Sequence, residues 1–156
     1  MLILGGVEQT EEAAFARCVR AIENGSALTK FRELVEAQGG DPRIVDDPSR
    51  LEVAPDVAVL EAETAGYLAA TDCRAIGNAA VVLGAGRNKM TDSIDHGVGL
   101  EMLVKIGDRI EPKQPLVRII HRGGKGLDEC LARLRKAFVI QSEPVAAPPL
   151  IYERLT

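Results

Sequence analysis

The sequence predicts an α+β fold in which a short two-helix segment precedes a mixed domain of strands and helices. Three observations support this. Apolar residues recur at helical spacing over the first forty residues. A stretch rich in proline and aspartate, residues 41–55, then interrupts every periodic pattern. From Val57 onward, short β-prone runs alternate with turns and two further helical patterns, in the order β-β-α-β-β-β-α-β.

The first predicted helix begins after Thr10, a good N-cap residue, with Glu11 and Glu12 suited to its first turn. Its apolar residues repeat at i, i+3, i+4 and i+7: Phe15, Cys18, Val19 and Ile22. Asn24-Gly25 is expected to end it. Ser26 is expected to cap a second helix, whose apolar residues are Leu28, Phe31, Leu34 and Val35. Two such short helices are marginal alone, so their apolar faces need a surface to pack on.

The region after the proline-rich stretch predicts strands at residues 57–62, 66–68, 98–104, 117–121, 139–140 and 151–152. A helix capped by Asp72 is expected to end at Gly84, and Asp128 is expected to cap another. Turn residues at Gly107-Asp108 and 111–114 flank short apolar steps, which is typical of a tightly curled β arm.

Composition and charge exclude several classes of protein. Hydrophobic residues make up 46% and charged residues 27%, as in a globular domain. No apolar run approaches the roughly 18 residues of a membrane span, and no basic segment marks a signal peptide. A net charge of −4 with 3% aromatic residues argues against nucleic acid as a partner.

The three cysteines, Cys18, Cys73 and Cys130, are too scattered for a disulfide framework or a zinc site. We expect them to be small buried hydrophobic residues, which suits a reducing cytoplasm.

Several short motifs together resemble one enzyme family. They are, in chain order, Leu4-Gly5-Gly6, Glu36–Asp41, Ala65-Gly66-Tyr67, Arg74–Gly77, Val82–Arg87, Asp92–Asp95 with Gly97-Val98-Gly99, Gly107-Asp108 and Pro149–Glu153. In this order and spacing the chain resembles, over essentially its whole length, the C-terminal part of thymidine and pyrimidine-nucleoside phosphorylases.

The resemblance implies a fold and a function. It implies that the C-terminal domain is an α/β hammerhead, related to the barrel-sandwich of biotinyl and lipoyl carriers. The whole enzyme is expected to be a cytoplasmic protein that converts a pyrimidine nucleoside and phosphate into free base and (deoxy)ribose 1-phosphate. The family's phosphate-binding and base-binding residues lie upstream of the matched segment. We therefore expect no catalytic, cofactor-binding or metal-binding residue in this chain, no cofactor, and no activity from the chain alone.

The resemblance also sets the predicted domains. The first residues resemble an internal segment of the family, so residues 1–40 are expected to be a helical remnant of its central phosphate-binding domain. Residues 41–55 are then a linker, and residues 56–156 the C-terminal domain. Whether the chain is a truncated form, a gene fragment or a natural protein is open, as is a homodimer through the exposed helical segment.

Two glycine-rich segments and one polar cluster are candidate binding sites. Gly84–Arg87 could hold an anion, but it follows a helix and is read as a helix end and turn. Gly123–Gly126 is read as a mobile surface loop. Asp92, Asp95 and His96 are read as turn residues rather than metal ligands.

Lys105 and Lys113 flank the curled arm, yet neither lies in the Met-Lys pair of a carrier domain, so we expect both to be solvated.

The leading hypothesis is a non-catalytic module that helps close the active-site cleft of a whole phosphorylase, with the loop of residues 84–95 facing that cleft. Alternatives are a free-standing hammerhead used for protein interaction, possibly complementing a separate N-terminal part, and an independent enzyme with a site within residues 57–156.

Overall fold

The computed structural model describes residues 1–153, and the chain divides into two compact units, residues 1–51 and 52–156. Residues 154–156, the end of the predicted C-terminal domain, lie outside the described residues. The first unit holds helices α1 (Glu11–Glu23) and α2 (Ser26–Ala37). Two 3₁₀ turns follow, Pro42–Val45 and Pro48–Arg50, and none of these four elements contains a buried residue.

Local hydrogen bonds define the ends of these helices. The Thr10 hydroxyl accepts the Ala13 N–H at 3.2 Å, which confirms Thr10 as the N-cap of α1. The predicted cap at Ser26 is wrong by one residue, because Gly25 takes the N-cap position with φ 77°, a left-handed conformation that glycine adopts without strain. The Asn24 side chain instead accepts the Ser26 N–H, at 3.0 Å.

The apolar faces of α1 and α2 are exposed. Phe15 is 72% exposed, and Leu28, Phe31 and Leu34 are each exposed to at least 50%. The prediction that all three cysteines are buried is also wrong, since Cys18 and Cys73 are exposed. Cys130 alone is fully buried, and this burial raises the pKa of its thiol to about 11.

The second unit contains two small antiparallel sheets and two helices. One sheet has the order β1 (Asp56–Glu61), β5 (Pro115–His121), β3 (Gly99–Met102). The other has the order β4 (Arg109–Ile110), β2 (Gly66–Thr71), β6 (Phe138–Gln141). Helix α3 (Cys73–Ala80) continues into a π-helical turn, Val81–Ala85, and packs against α4 (Leu127–Ala137). The unit is therefore of the predicted α+β class.

The core of this unit draws side chains from both sheets and both helices. Its largest fully buried residues are Leu68, Ile110, Val117, Ile119, Cys130 and Leu134. The Asp72 carboxylate accepts the Ala75 N–H at 2.9 Å and caps α3 as predicted. No helix in residues 1–153 has both the length and the apolar character that crossing a bilayer requires.

Two predictions about the second unit are wrong. The N-cap of α4 is Gly126, and Asp128 lies in the first turn of the helix instead. Ile151 and Tyr152 form no strand and are 76% and 80% exposed. Neither sheet offers this segment a partner strand, so its backbone gains no inter-strand hydrogen bonds.

Candidate functional site

The 84–95 loop connects the π-helical turn to β3. Gly84 ends the helical region with φ 107°, which the sequence predicted as a helix end. The Asp95 N–H donates to the Gly84 carbonyl at 3.0 Å, so the first and last residues of the loop are joined. The residues between them form a projecting loop with a closed neck.

Asp92 shapes the outer part of this loop. One of its carboxylate oxygens accepts the N–H groups of Asn88 and Lys89, at 3.1 and 2.9 Å. The Asp92 N–H donates in turn to the Lys89 carbonyl at 3.0 Å. The predicted role of Asp92 as a turn residue is confirmed, because its carboxylate stabilises backbone donors.

Asp95 fixes the base of the 84–95 loop to neighbouring parts of the second unit. One carboxylate oxygen accepts the Gly97 N–H at 2.9 Å, and the other accepts the Arg122 Nε–H at 2.8 Å. Arg122 also donates from Nη2 to the Glu52 carboxylate at 2.9 Å. Asp95 is thus a turn residue as predicted. The described residues contain no group of three or more His, Cys, Asp or Glu placed to hold a metal ion.

The Asp95–Arg122 pair changes the ionisation of both groups. The Arg122 hydrogen bond lowers the pKa of the Asp95 carboxyl, and the Gly97 N–H and the positive charge of Lys125 lower it further. Asp95 in turn raises the pKa of the Arg122 guanidinium. Both side chains are partly exposed, so water and salt screen the pair.

We expect Arg122→Ala to raise the pKa of Asp95 toward the ordinary aspartate value of about 3.9. Because the folded-state pKa is depressed, the stabilisation from Asp95 is present above that ordinary value and is lost as the pH falls through the lower one. Carboxyl ¹³C titration of the two proteins measures the shift. Arg118→Ala is the matched control, since Arg118 pairs with Glu101, and an equal rise in that variant would contradict the assignment.

A second loop, residues 122–126, lies beside the neck. The Gly123 N–H donates to the Asp56 carboxylate at 2.7 Å, and the Gly124 N–H donates to Nδ1 of His121 at 3.2 Å. Gly126 lies so close to the π-helical turn that a Cβ there would be 2.3 Å from the Val82 carbonyl oxygen. The glycine-rich segment is therefore tied to β1, to β5 and to the helical region that leads into the 84–95 loop.

The surface around the two loops is open and carries both acidic and basic side chains. It contains two shallow depressions of about 510 and 420 Å³, which share Gly84, Ser93 and Lys125. The side chains of Arg87, Lys89 and Lys125 are exposed, and within residues 1–153 none of them lies within 4.0 Å of a carboxylate oxygen, although the charge of Lys125 acts on Asp95. Such a surface suits an anionic group.

Groups for nucleophilic catalysis are not brought together in the part of the chain described. Neither His96 nor His121 is hydrogen-bonded there to a serine or cysteine side chain. Lys105 lies in the turn of residues 105–108 and Lys113 in the turn of residues 111–114, and both side chains are exposed, as predicted. The arrangement can therefore position loops and attract negative charge, but it lacks a nucleophile with an adjacent base.

The sequence predicted the candidate loop from Gly84, Arg87, Asp92 and Asp95 and placed Lys125 in a surface loop, but it indicated no role for Arg122. A basic residue after a strand gives no signal of its own, because the Arg122–Asp95 and Arg122–Glu52 contacts join residues 27 and 70 positions apart.

Comparison with known proteins places these loops within a matched domain. The Pyrimidine nucleoside phosphorylase C-terminal domain family matches residues 67–141, which include the 84–95 loop, Arg122 and Lys125. Thymidine phosphorylase of Burkholderia lata is 35% identical over 156 residues, which cover 99% of this chain and 35% of that protein. Pyrimidine-nucleoside phosphorylases of Geobacillus stearothermophilus and Bacillus subtilis are each 36% identical over all of this chain and 36% of their own length. The chain thus spans about a third of these curated relatives.

Proposed function

We propose, on the premise that the chain belongs to the thymidine and pyrimidine-nucleoside phosphorylase family and carries its C-terminal part, that it serves as the C-terminal module of such an enzyme. The whole enzyme would cleave a pyrimidine nucleoside with phosphate to give the base and (deoxy)ribose 1-phosphate. The module itself would be non-catalytic and would help close the cleft in which the two substrates meet. Closure excludes water and holds the reactants together, which are two established sources of rate enhancement.

The main support for this proposal is that the 84–95 loop has a hydrogen-bonded base and exposed cations. Its neck is fixed by the Gly84–Asp95 and Asp95–Arg122 hydrogen bonds, while the cations Arg87 and Lys89 project into solvent. A rigid base with exposed positive charge suits a loop that faces a phosphate-containing cleft, because preorganised charge stabilises an anion at little reorganisation cost.

The proposal extends to the architecture of the chain. Residues 1–40 would be the end of the family's central phosphate-binding domain, residues 41–55 a linker, and residues 56–156 a domain of the α/β-hammerhead type. The curled arm of β4 and β5 supports the hammerhead, and the exposed apolar faces of α1 and α2 support a missing partner surface or a homodimer contact. Unpaired thiols suit the cytoplasmic location that we include in the proposal.

The alternatives have weaker support. A free-standing interaction module would be expected to cover Phe15, Leu28, Phe31 and Leu34 within its own chain or in a dimer, and within the single chain they are 50–72% exposed. An independent enzyme needs convergent polar groups in a pocket, whereas the depressions beside the two loops are open to solvent.

Phosphorolysis of thymidine and uridine tests the proposal. The purified 156-residue chain is expected to release no free base, while a chimera that joins it to the N-terminal two-thirds of the Bacillus subtilis enzyme is expected to be active. In that chimera, Arg87→Ala should lower kcat/KM by about tenfold, the scale of one charge-assisted contact. Arg118→Ala, which removes a cation on β5, should have little effect. Turnover by the chain alone, or equal effects of the two variants, would refute the proposal.

A further inference from the structure

His121 ends β5 beside the first residue of β1. The two strands pair so that His121 lies opposite Asp56. The residue is 8% exposed, and its Nδ1 atom accepts the Gly124 N–H at 3.2 Å. The Asp56 carboxylate accepts the neighbouring Gly123 N–H, and the nearest Asp56 oxygen is 4.0 Å from Nδ1.

This arrangement defines the protonation state of the ring. A ring nitrogen can accept an N–H only through a free lone pair, so the Gly124 hydrogen bond requires a ring whose hydrogen is on Nε2 and not on Nδ1. Protonation would place a hydrogen on Nδ1, directly opposite the Gly124 N–H. Two donors cannot share this hydrogen bond, and the imidazolium would instead be attracted to the carboxylate of Asp56.

We propose that His121 is a pH-sensitive latch for the Gly123–Gly126 loop. The neutral ring holds the loop against β5, and protonation releases Gly124 as the ring turns toward Asp56. Histidine is the side-chain type that is generally used to sense pH near neutrality, which suits it to such a latch.

The released segment has direct connections to the 84–95 loop. Arg122, which clamps Asp95, immediately precedes it, and Lys125 lies within it. Gly126 rests against the Val82 carbonyl, just before the loop begins. Protonation of one buried histidine would therefore loosen the base of a loop with which its ring shares no hydrogen bond among residues 1–153. The inference concerns only the fold of this chain and stands whether or not the proposed function is correct.

The elements that pair with, follow or pack beside the end of β5 carry charged groups on β1, on the 122–126 loop and on α4. Strand β1 contributes Asp56, the only carboxylate of the described residues that lies within 4.0 Å of the ring nitrogen. The loop contributes Lys125 together with Arg122, whose charge is balanced by Asp95 and Glu52. Helix α4 carries Asp128 and Glu129 in its first turn, and both are exposed. Asp56 is thus the partner that protonation would engage.

Nuclear magnetic resonance on the complete 156-residue chain tests the latch. At pH 8 the imidazole ¹⁵N shifts should identify the Nε2–H tautomer of His121. Between pH 8 and 5 the hydrogen-exchange protection factor of the Gly124 amide should fall by roughly five- to tenfold, the scale of one lost hydrogen bond. An Nδ1–H tautomer at pH 8 would overturn the proposal, as would Gly124 protection that stays constant while His121 titrates.

Two variants provide controls. His121→Asn places a non-titrating carbonyl oxygen near the Nδ1 position, so Gly124 should stay protected at both pH values. His96→Asn changes the only other histidine, which is exposed, and should behave as the unmodified chain does.

If His121→Asn fails to fold, Asp56→Asn provides the test. Without the Asp56 carboxylate, release of the Gly124 amide should shift to lower pH. An unchanged midpoint in Asp56→Asn, or a pH response that persists in His121→Asn, would refute the latch.

Discussion

Replacing Gly126 with alanine is expected to destabilise the second unit by about 2–5 kcal/mol, since left-handed strain and overpacking add. Gly126 is the N-cap of α4 and has φ 70°, a conformation that residues with a Cβ rarely adopt. Its Cβ would lie 2.3 Å from the Val82 carbonyl oxygen and 2.9 Å from the carbonyl carbon. Both are backbone atoms, so no side-chain rotation can relieve the contact.

The effect should extend beyond the site of substitution. Val82 belongs to the π-helical turn that leads directly into Gly84 and the 84–95 loop. Separating Gly126 from Val82 therefore requires α4 or this turn to move, although α3 and α4 pack against each other in the same core. A close-packed core resists such movement, which is why the expected cost exceeds that of the backbone strain alone.

Gly123→Ala is the matched control for this substitution. Gly123 also has a positive φ, 60°, but a Cβ there would meet no atom within 4 Å. It should therefore cost only the strain of about 1–2 kcal/mol. Urea unfolding followed by circular dichroism measures both variants. Similar losses in the two would show that contact with Val82 contributes nothing.

Local features of this chain could be predicted because their causes are local. Thr10 and Asp72 each bond a backbone N–H three residues ahead, and Asp92 bonds two N–H groups within four residues. Side chains of these types compete for nearby backbone donors wherever a helix or turn begins. The α+β class followed from the same kind of short-range pattern.

The contacts that assemble the candidate site could not be predicted in this way. Asp56 reaches Gly123 across 67 positions, and Arg122 reaches Glu52 across 70. Each depends on the antiparallel register of β1 and β5, which is set by the packing of the whole unit. Gly84 and Asp95 therefore predict the candidate loop, whereas the pairing of Arg122 with Asp95 and Glu52 has no signal in the sequence.

The incorrect predictions at Cys18, Ile151 and Tyr152 share a physical origin. An apolar helical stripe predicts a face that suits burial, yet it does not reveal whether a surface is present to cover it. Cys18 lies on such a stripe in α1 and is exposed. Ile151 and Tyr152 have the residue types of a strand but lack a partner strand after the proline-rich connector.

Leu134→Ala is expected to cost about 3–5 kcal/mol, the upper part of the range for removing a large aliphatic side chain from a core. Leu134 has no exposed surface and lies on the inner face of α4, next to other fully buried residues of the cluster that joins both sheets and both helices. Its removal leaves a cavity that neighbours from several elements would have to fill together. Because these neighbours belong to different elements, collapse of the cavity should be incomplete.

Leu103→Ala provides the comparison, because this leucine belongs to the same unit and is 44% exposed. The same atoms are removed, but little buried volume is lost, so the expected cost is about 1 kcal/mol or less. Urea unfolding of both variants should give unchanged m-values if the second unit unfolds as one cooperative body. A cost for Leu134→Ala as small as that of Leu103→Ala would mean that α4 is not part of that body. The α4 N-terminus could then not transmit a shift at Gly126 to the 84–95 loop.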